Sequence, residues 1–219
     1  MSQPVKKPYS SELRAAQARA TRRAIVDAAA RLFVDQGYGA TTVDAIAAAA
    51  GVSRKTVFAS VGGKAQALKL AIDWAVVGDD EPVPLLDRPH IQAGHAASDA
   101  RVILASYARA SLEISARIAP LIAVAEAAAG TDAEVRAMTA DGHAQRLAGT
   151  RALAGVVAAR GALKPELTVA EAADVLWLLG GPGVYHRFVT ERGWPAGRFA
   201  AWLADTLVSL LIAADYRPG

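Results

Sequence analysis

The chain contains no cysteine. Disulfides and thiolate metal sites are therefore excluded, and cysteine usage says nothing about compartment. Aromatic residues make up only 6% of the sequence. Strands would need more aromatic and β-branched residues than are present, whereas alanine, the best helix former, is abundant, so an all-α protein is expected. No uncharged apolar run is long enough to span a bilayer. The N-terminal MSQPVKKPYSSELRAAQ lacks the apolar core of a secretion signal, so a cytoplasmic protein without a membrane partner is expected. His90, His95, His143 and His186 include no pair spaced i, i+4, and no metal site is expected. A nucleophile elbow, paired catalytic carboxylates and a dinucleotide loop are also missing, so no catalytic residue or cofactor is expected. Gly62-Gly63-Lys64 lacks the upstream glycine and following hydroxyl of a phosphate loop.

What is present is 53% apolar residues in a chain of 219, enough for a substantial core. Charge is unevenly spread. Residues 1–70 hold eleven Lys and Arg against four Asp and Glu, a net +7, which leaves −4 for the remainder of a chain whose total is +3. A polyanion attracted to the first part would be weakly repelled by the second, which orients an encounter with nucleic acid. A basic segment lying on a membrane surface is the competing reading.

The most informative stretch is TTVDAIAAAAGVSRKTVFASVGGK, residues 41–64. Val43, Ile46, Ala47 and Ala50 recur at helical spacing, and Gly51 can close a helix in the left-handed conformation. Thr41 is expected to cap the first helix with Asp44 completing a capping box, and Ser53 to cap the second. Small Ala47 allows a close crossing, with Ile46, Ala50, Val52 and Val57 as shared core: a helix-turn-helix. Arg54, Lys55 and Thr56 then fall on the first exposed turn, where a recognition helix meets the major groove. A helical hairpin in an ordinary core, with Arg54 and Lys55 merely solvated, is the alternative.

Elsewhere, residues 1–20 read as a flexible basic arm that can extend the first helix from Ser10 or Ser11, and Thr21 as the cap of a helix whose apolar face is Ile25, Ala28, Ala29, Leu32 and Phe33, ending at Gly37. The helix-turn-helix domain is then 21–63, followed by a connecting helix at 64–77 with an inward stripe of Leu68, Ala71, Ile72 and Ala75. Residues 78–97, with their prolines, read as an irregular linker opening a larger C-terminal domain, 78–219. In that domain Pro120 is expected to interrupt a helix, and Gly142, Gly149 and Gly155 to kink or closely pack another. Thr168 and Glu171 form a capping box, and the final helix occupies about 196–214. That helix is apolar on more than one face, which implies a second subunit and a four-helix interface through Leu176, Phe199, Trp202, Leu203, Leu207 and Leu210. Tyr107, His143, Trp177, Tyr185 and His186 are polar-tipped candidates for a ligand pocket, or alternatively core and interface side chains.

On GYGATT, VDAIAAAAGVSRKTVF, Lys64, LTVAEAADVLWLL and RGWPAGRFAAWLADTL, the chain resembles the tetracycline-repressor (TetR) family of transcriptional regulators. The likeness extends over nearly the whole chain and is strongest over 24–72. It implies a homodimeric, ligand-responsive repressor whose paired recognition helices, at about 53–60, enter successive major grooves of a palindromic operator about 34 Å apart. It further implies a small-molecule effector, apolar or aromatic, in the C-terminal domain. By position, Thr41 or Thr42, Ser53 and Lys64 would contact phosphates, and Arg54, Lys55, Thr56 and Phe58 would face the groove. Effector binding would move the connecting helix, with Trp74 as a coupling residue. The chain departs from the family at two places. Where an aromatic pair with a phosphate-contacting tyrosine is usual, it reads Phe58-Ala59-Ser60-Val61, leaving Ser60 with a shorter reach; and Lys55 replaces a usual glycine. Affinity leaning on Lys55 and the N-terminal arginines should depend steeply on salt. The rival reading is a helical enzyme or small-molecule-binding protein with a degenerate helix-turn-helix.

Overall fold

The computed structural model describes residues 9–218. These are helical nearly throughout, with a single isolated bridge pairing Leu163 and Ile212. Helix α1 (Tyr9–Ala40) is followed by α2 (Val43–Ala50), α3 (Arg54–Val61) and α4 (Lys64–Val77). After a short 3₁₀ turn at Leu85–Asp87 come α5 (Pro89–His95), α6 (Ala100–Ala129), α7 (Ala133–Ala159) and α8 (Val169–Leu179). Helix α9 (Pro182–Tyr185) continues into a π-helical stretch, His186–Glu191, and α10 (Ala196–Leu211) completes the order.

Helix α1 begins at Tyr9, next to the Ser10 or Ser11 start expected for an extension of the first helix into the arm, so Thr21 lies inside the helix and is not a cap. The rest of the expected arm, residues 1–8, lies outside the described residues. Gly37 adopts φ 81°, ψ 163°, breaking the helical path ahead of α2. Thr42, not Thr41, then caps α2, its hydroxyl accepting from the Ala45 amide at 3.1 Å. That one-residue shift leaves Asp44 outside any capping box. Gly51 closes α2 at φ 67°, and Ser53 caps α3 by accepting from the Thr56 amide at 3.1 Å.

Two apolar cores organise the molecule. The first gathers Ile25, Phe33, Ile46, Val57 and Leu68 from α1–α4. It also takes Leu121, Ala125 and Ala128 from α6 and Val135 from α7. Three short helices bury too little surface to stand alone, and here the C-terminal half of α6 supplies the missing wall alongside α4. The second core joins α6, α7, α8 and α10 through Leu104, Leu153, Leu176, Phe199, Leu203 and Leu207.

Several local expectations are corrected. The 78–97 segment contains α5 rather than being wholly irregular. Pro120 sits inside an unbroken α6 because it is on an exposed face, where the carbonyl it leaves unbonded meets water. Helix α7 also runs uninterrupted, and a Cβ on Gly142, Gly149 or Gly155 would meet no atom within 4 Å, so these glycines serve neither a kink nor a tight contact. The capping box at Thr168 and Glu171 does form. Helix α10 stops at Leu211 rather than near 214, because Ile212 turns extended and pairs with Leu163 while the Ala213 amide donates to Ala162.

Candidate nucleic-acid interface and effector cavity

The exposed face of α3 follows from its cap and its core residues. Ser53 fixes the start of the helix, and Val57 and Val61 are buried, which turns Arg54, Lys55 and Phe58 outward. Phe58 is 46% exposed, unusual for a large apolar ring. Arg54 donates to the Asp44 carboxylate at 2.7 Å, and its guanidinium lies 5.5 Å from the Phe58 ring centroid. Among the described residues Lys55 has no ion-pair partner. Ser53 and Thr56 share a hydroxyl–hydroxyl bond at 2.8 Å, Thr56 and Ser60 are half-buried, and Thr42 is exposed.

Thr41 is corrected. It is fully buried, and its hydroxyl donates to Gly37 O at 2.8 Å and accepts from the Gln36 amide at 3.2 Å. It pins the α1–α2 connection and presents nothing to a phosphate. Lys64 is half-buried and also engaged, donating to Tyr38 O at 2.9 Å with its ammonium 4.0 Å from the Tyr38 ring centroid. Tyr38 in turn donates at 3.0 Å to Asp132, the cap of α7. Burial first, then this bond to Asp132, pushes the Tyr38 phenol well above its ordinary range. Asp132 is held below the usual carboxylate range, chiefly by the Val135 amide. Gln66 of α4 bonds Glu134 of α7.

At its other end α4 is tied to α6: Arg117 donates to Ala75 O at 2.7 Å and to Val76 O at 2.9 Å. Just beyond, Arg19 of α1 makes two 2.8 Å bonds to Asp80, whose side chain is only 6% exposed. Arg19 lowers the Asp80 carboxyl to about 2.

A cavity of about 1280 Å³ is walled by α4 to α9. Tyr107, His143 and Trp177 line it. The Tyr107 hydroxyl donates to Leu176 O at 2.8 Å, and burial raises its pKa. A Cβ on Gly180 would collide with that hydroxyl, so glycine there lets α8 approach α6. His143 meets Trp177 edge-on at 5.8 Å. Tyr185 and His186 are corrected: neither lines the cavity. The break at Gly180-Gly181 starts a new helix with a different rotation, placing Tyr185 edge-on against Phe199 at 5.8 Å and His186 3.5 Å from Glu191. Trp74 likewise packs in the N-terminal core, while Ile72 and Val76 of the same helix face the cavity.

Sequence alone does not mark Arg146, whose guanidinium sits 4.2 Å from the Trp177 ring centroid and bonds the Trp177 carbonyl. A usable signal exists, because Gly142, Arg146, Gly149 and Leu153 share one face of α7 and all line the cavity. The two glycines leave space there that side chains would fill.

The expected dimer residues are also largely corrected. Leu176, Phe199, Leu203 and Leu207 are at most 1% exposed within a single chain, so they cannot meet a second one. Trp202 is half-buried in an aromatic cluster with Phe188 and Trp194. Leu210 and, on α8, Val169 remain outward, while the exposed Leu178 borders the cavity.

These features define a class: an all-helical protein in which a helix-turn-helix with an outward second helix shares a core with a cavity-bearing helical domain. Residues 25–69 match the family model described as bacterial regulatory proteins, tetR family. The match is confined to the helix-turn-helix and the parts of α1 and α4 that flank it. It is 43% identical over 58 residues to TtgW of Pseudomonas putida, an uncharacterised HTH-type transcriptional regulator. That match covers 26% of this chain and 43% of the length of that relative. NalD of Pseudomonas aeruginosa, the secondary repressor of the MexAB-OprM multidrug efflux pump, superposes with a TM-score of 0.70 at 20% identity, covering 91% of this chain and 100% of that one. SmeT, the repressor of the Stenotrophomonas maltophilia efflux pump SmeDEF, gives a TM-score of 0.69 at 21% identity as its triclosan complex, covering 91% of this chain and 96% of that one. At these identities the likeness is one of fold. Among the described residues no helix is long and apolar enough to cross a membrane.

Proposed function

We propose that the chain is a DNA-binding transcriptional regulator, a cytoplasmic repressor that releases its operator on binding a small molecule. The observation that carries this reading is the capped, outward α3, which presents Arg54, Lys55 and Phe58 together on the basic third of the molecule. Arg54 and Lys55 read base edges, Phe58 gives apolar contact in the groove, and Thr42, Ser53 and Ser60 supply hydroxyls to phosphates. Lys64 positions the end of α3 through Tyr38 and adds positive charge near the backbone.

Two copies pair through the outward faces of α8 and α10, where Val169 is 40% and Leu210 is 44% exposed, so the palindromic operator mirrors the twofold axis. The functional division is α1–α3 for DNA, α4 as the connector and the remainder for effector and partner. The effector occupies the cavity and is sensed by Ile72 and Val76. Because α4 is held at one end by Gln66–Glu134 and at the other by Arg117, a ligand pressing on its middle changes the separation of the two α3 helices.

The test is fluorescence anisotropy with DNA from upstream of the protein's own gene. Arg54→Ala combined with Lys55→Ala is expected to abolish sequence-specific binding while leaving the oligomeric state unchanged in sedimentation. Specific affinity unchanged in that variant removes the assignment of α3.

A further inference from the structure

The cavity wall is aliphatic over much of its extent, with Ile72, Ile114, Ile118, Ile122 and Leu153 facing the space. Into this wall α7 projects Arg146, half-buried against the Trp177 ring. Among the described residues Arg146 makes one hydrogen bond to protein, to the Trp177 carbonyl, and no carboxylate lies within 4.0 Å of it. Lys69, another cation on the wall, is by contrast paired with Asp73.

A guanidinium carries five N–H donors. Its contact with the last turn of α8 accounts for one of them as a helix cap. Among the described residues no fully buried side-chain nitrogen lacks a partner, so the remaining donors of Arg146 keep some exposure, on a side chain that lines the cavity. A cation withdrawn from water without a counter-ion is costly, and burial indeed lowers the Arg146 pKa, against weaker opposing pulls from Tyr107 and then Glu126. The exposed rim of the same space is mixed in charge, with Glu113, Glu126 and Asp141 beside Arg109 and Arg187, and among the lining Lys and Arg side chains Arg146 alone is half-buried, the place where one negative charge on a ligand gains most.

We propose that the effector is an organic monocarboxylate with an apolar body: its carboxylate accepts from Arg146 beside Trp177, and its hydrocarbon part lies along Ile114, Ile118 and Ile122. This deepens, and rests on, the reading of the cavity as the effector site. Planar, paired N–H groups suit a carboxylate, and the half-buried setting beside Trp177 strengthens charge-assisted bonds relative to open water.

The test uses full-length protein without DNA, titrated calorimetrically with decanoate and with decan-1-ol, which differ in the charged end. Decanoate is expected to bind the wild type roughly ten- to a hundredfold more tightly, the range for hydrogen bonds to a charged group. In Arg146→Gln the carboxylate should fall to the affinity of the alcohol, with the alcohol unchanged. Should that variant fail to fold by circular dichroism, Arg146→Lys, which keeps the charge and loses the paired donors, should bind decanoate several-fold more weakly than the wild type. Equal binding of the two probes to the wild type, a carboxylate preference that survives Arg146→Gln, or no decanoate binding at all would each overturn the proposal. DNA affinity is measured separately by anisotropy. Loss of the DNA-binding reading with decanoate still bound through Arg146 leaves the carboxylate site standing.

Discussion

Asp44→Asn should tighten DNA binding while destabilising the protein, two effects of opposite sign from one substitution. In the free chain Arg54 is held by Asp44 at 2.7 Å, with both side chains more than half exposed. To reach a base edge Arg54 must leave that carboxylate. Exposed ion pairs of this kind contribute about 0.2–1 kcal/mol, so removing the competitor should raise operator affinity roughly 1.4- to 5-fold. Withdrawing a negative charge from the neighbourhood of phosphates acts in the same direction, most strongly at low salt. Stability moves the other way, because Asp44 lies in the first turn of α2, where a carboxylate interacts favourably with the helix dipole by about 0.3–1 kcal/mol. The assay is a double-mutant cycle in anisotropy at two salt concentrations, combining Asp44→Asn with Arg54→Ala, alongside melting curves. In the Arg54→Ala background the affinity gain should shrink to its salt-sensitive part. A full gain without Arg54, or weaker specific binding by Asp44→Asn alone, would refute the argument and make Asp44 a residue that aims Arg54 at its base.

Two further outcomes are expected. Thr41→Val removes a buried hydroxyl that bonds Gly37 O and the Gln36 amide, so chemical denaturation should show a loss of about 1–3 kcal/mol, while operator affinity well below the melting temperature stays unchanged. Asp80 is held at about 2 by Arg19, below the ordinary carboxylate value of 3.8, so its stabilising contribution is fully present above the unfolded value and is lost as pH falls through about 2. The melting difference between wild type and Asp80→Asn should therefore be constant at neutral pH and shrink between about pH 4 and 2; a difference that persists at pH 2 would assign the effect to something other than ionisation.

The helix-turn-helix was legible in the sequence because its signals are local. Gly51 and Ser53 set a turn within a few residues, and the spacing of Ile46, Ala47 and Val57 requires only helical geometry. The Thr168–Glu171 box is of the same kind. Where neighbouring residues competed for one role, local reasoning had no basis for choosing: Thr41 and Thr42 are both good caps. The burial of Thr41 beneath α1 is what leaves Thr42 at the cap.

Composition and periodicity by themselves determined an all-helical chain, a basic N-terminal third and the register of α3, because helix propensity, charge and capping act over one or two turns. Only the tertiary structure decided which apolar faces are spent inside the chain. Leu203 and Leu207 carry the same pattern whether they meet α6 of their own chain or a second copy, since hydrophobic burial is non-directional. It also decided that Arg146, on a helix far from Trp177 in sequence, would arrive at the cavity with no carboxylate within 4.0 Å among the described residues, since the company a charge keeps is set by packing between distant segments.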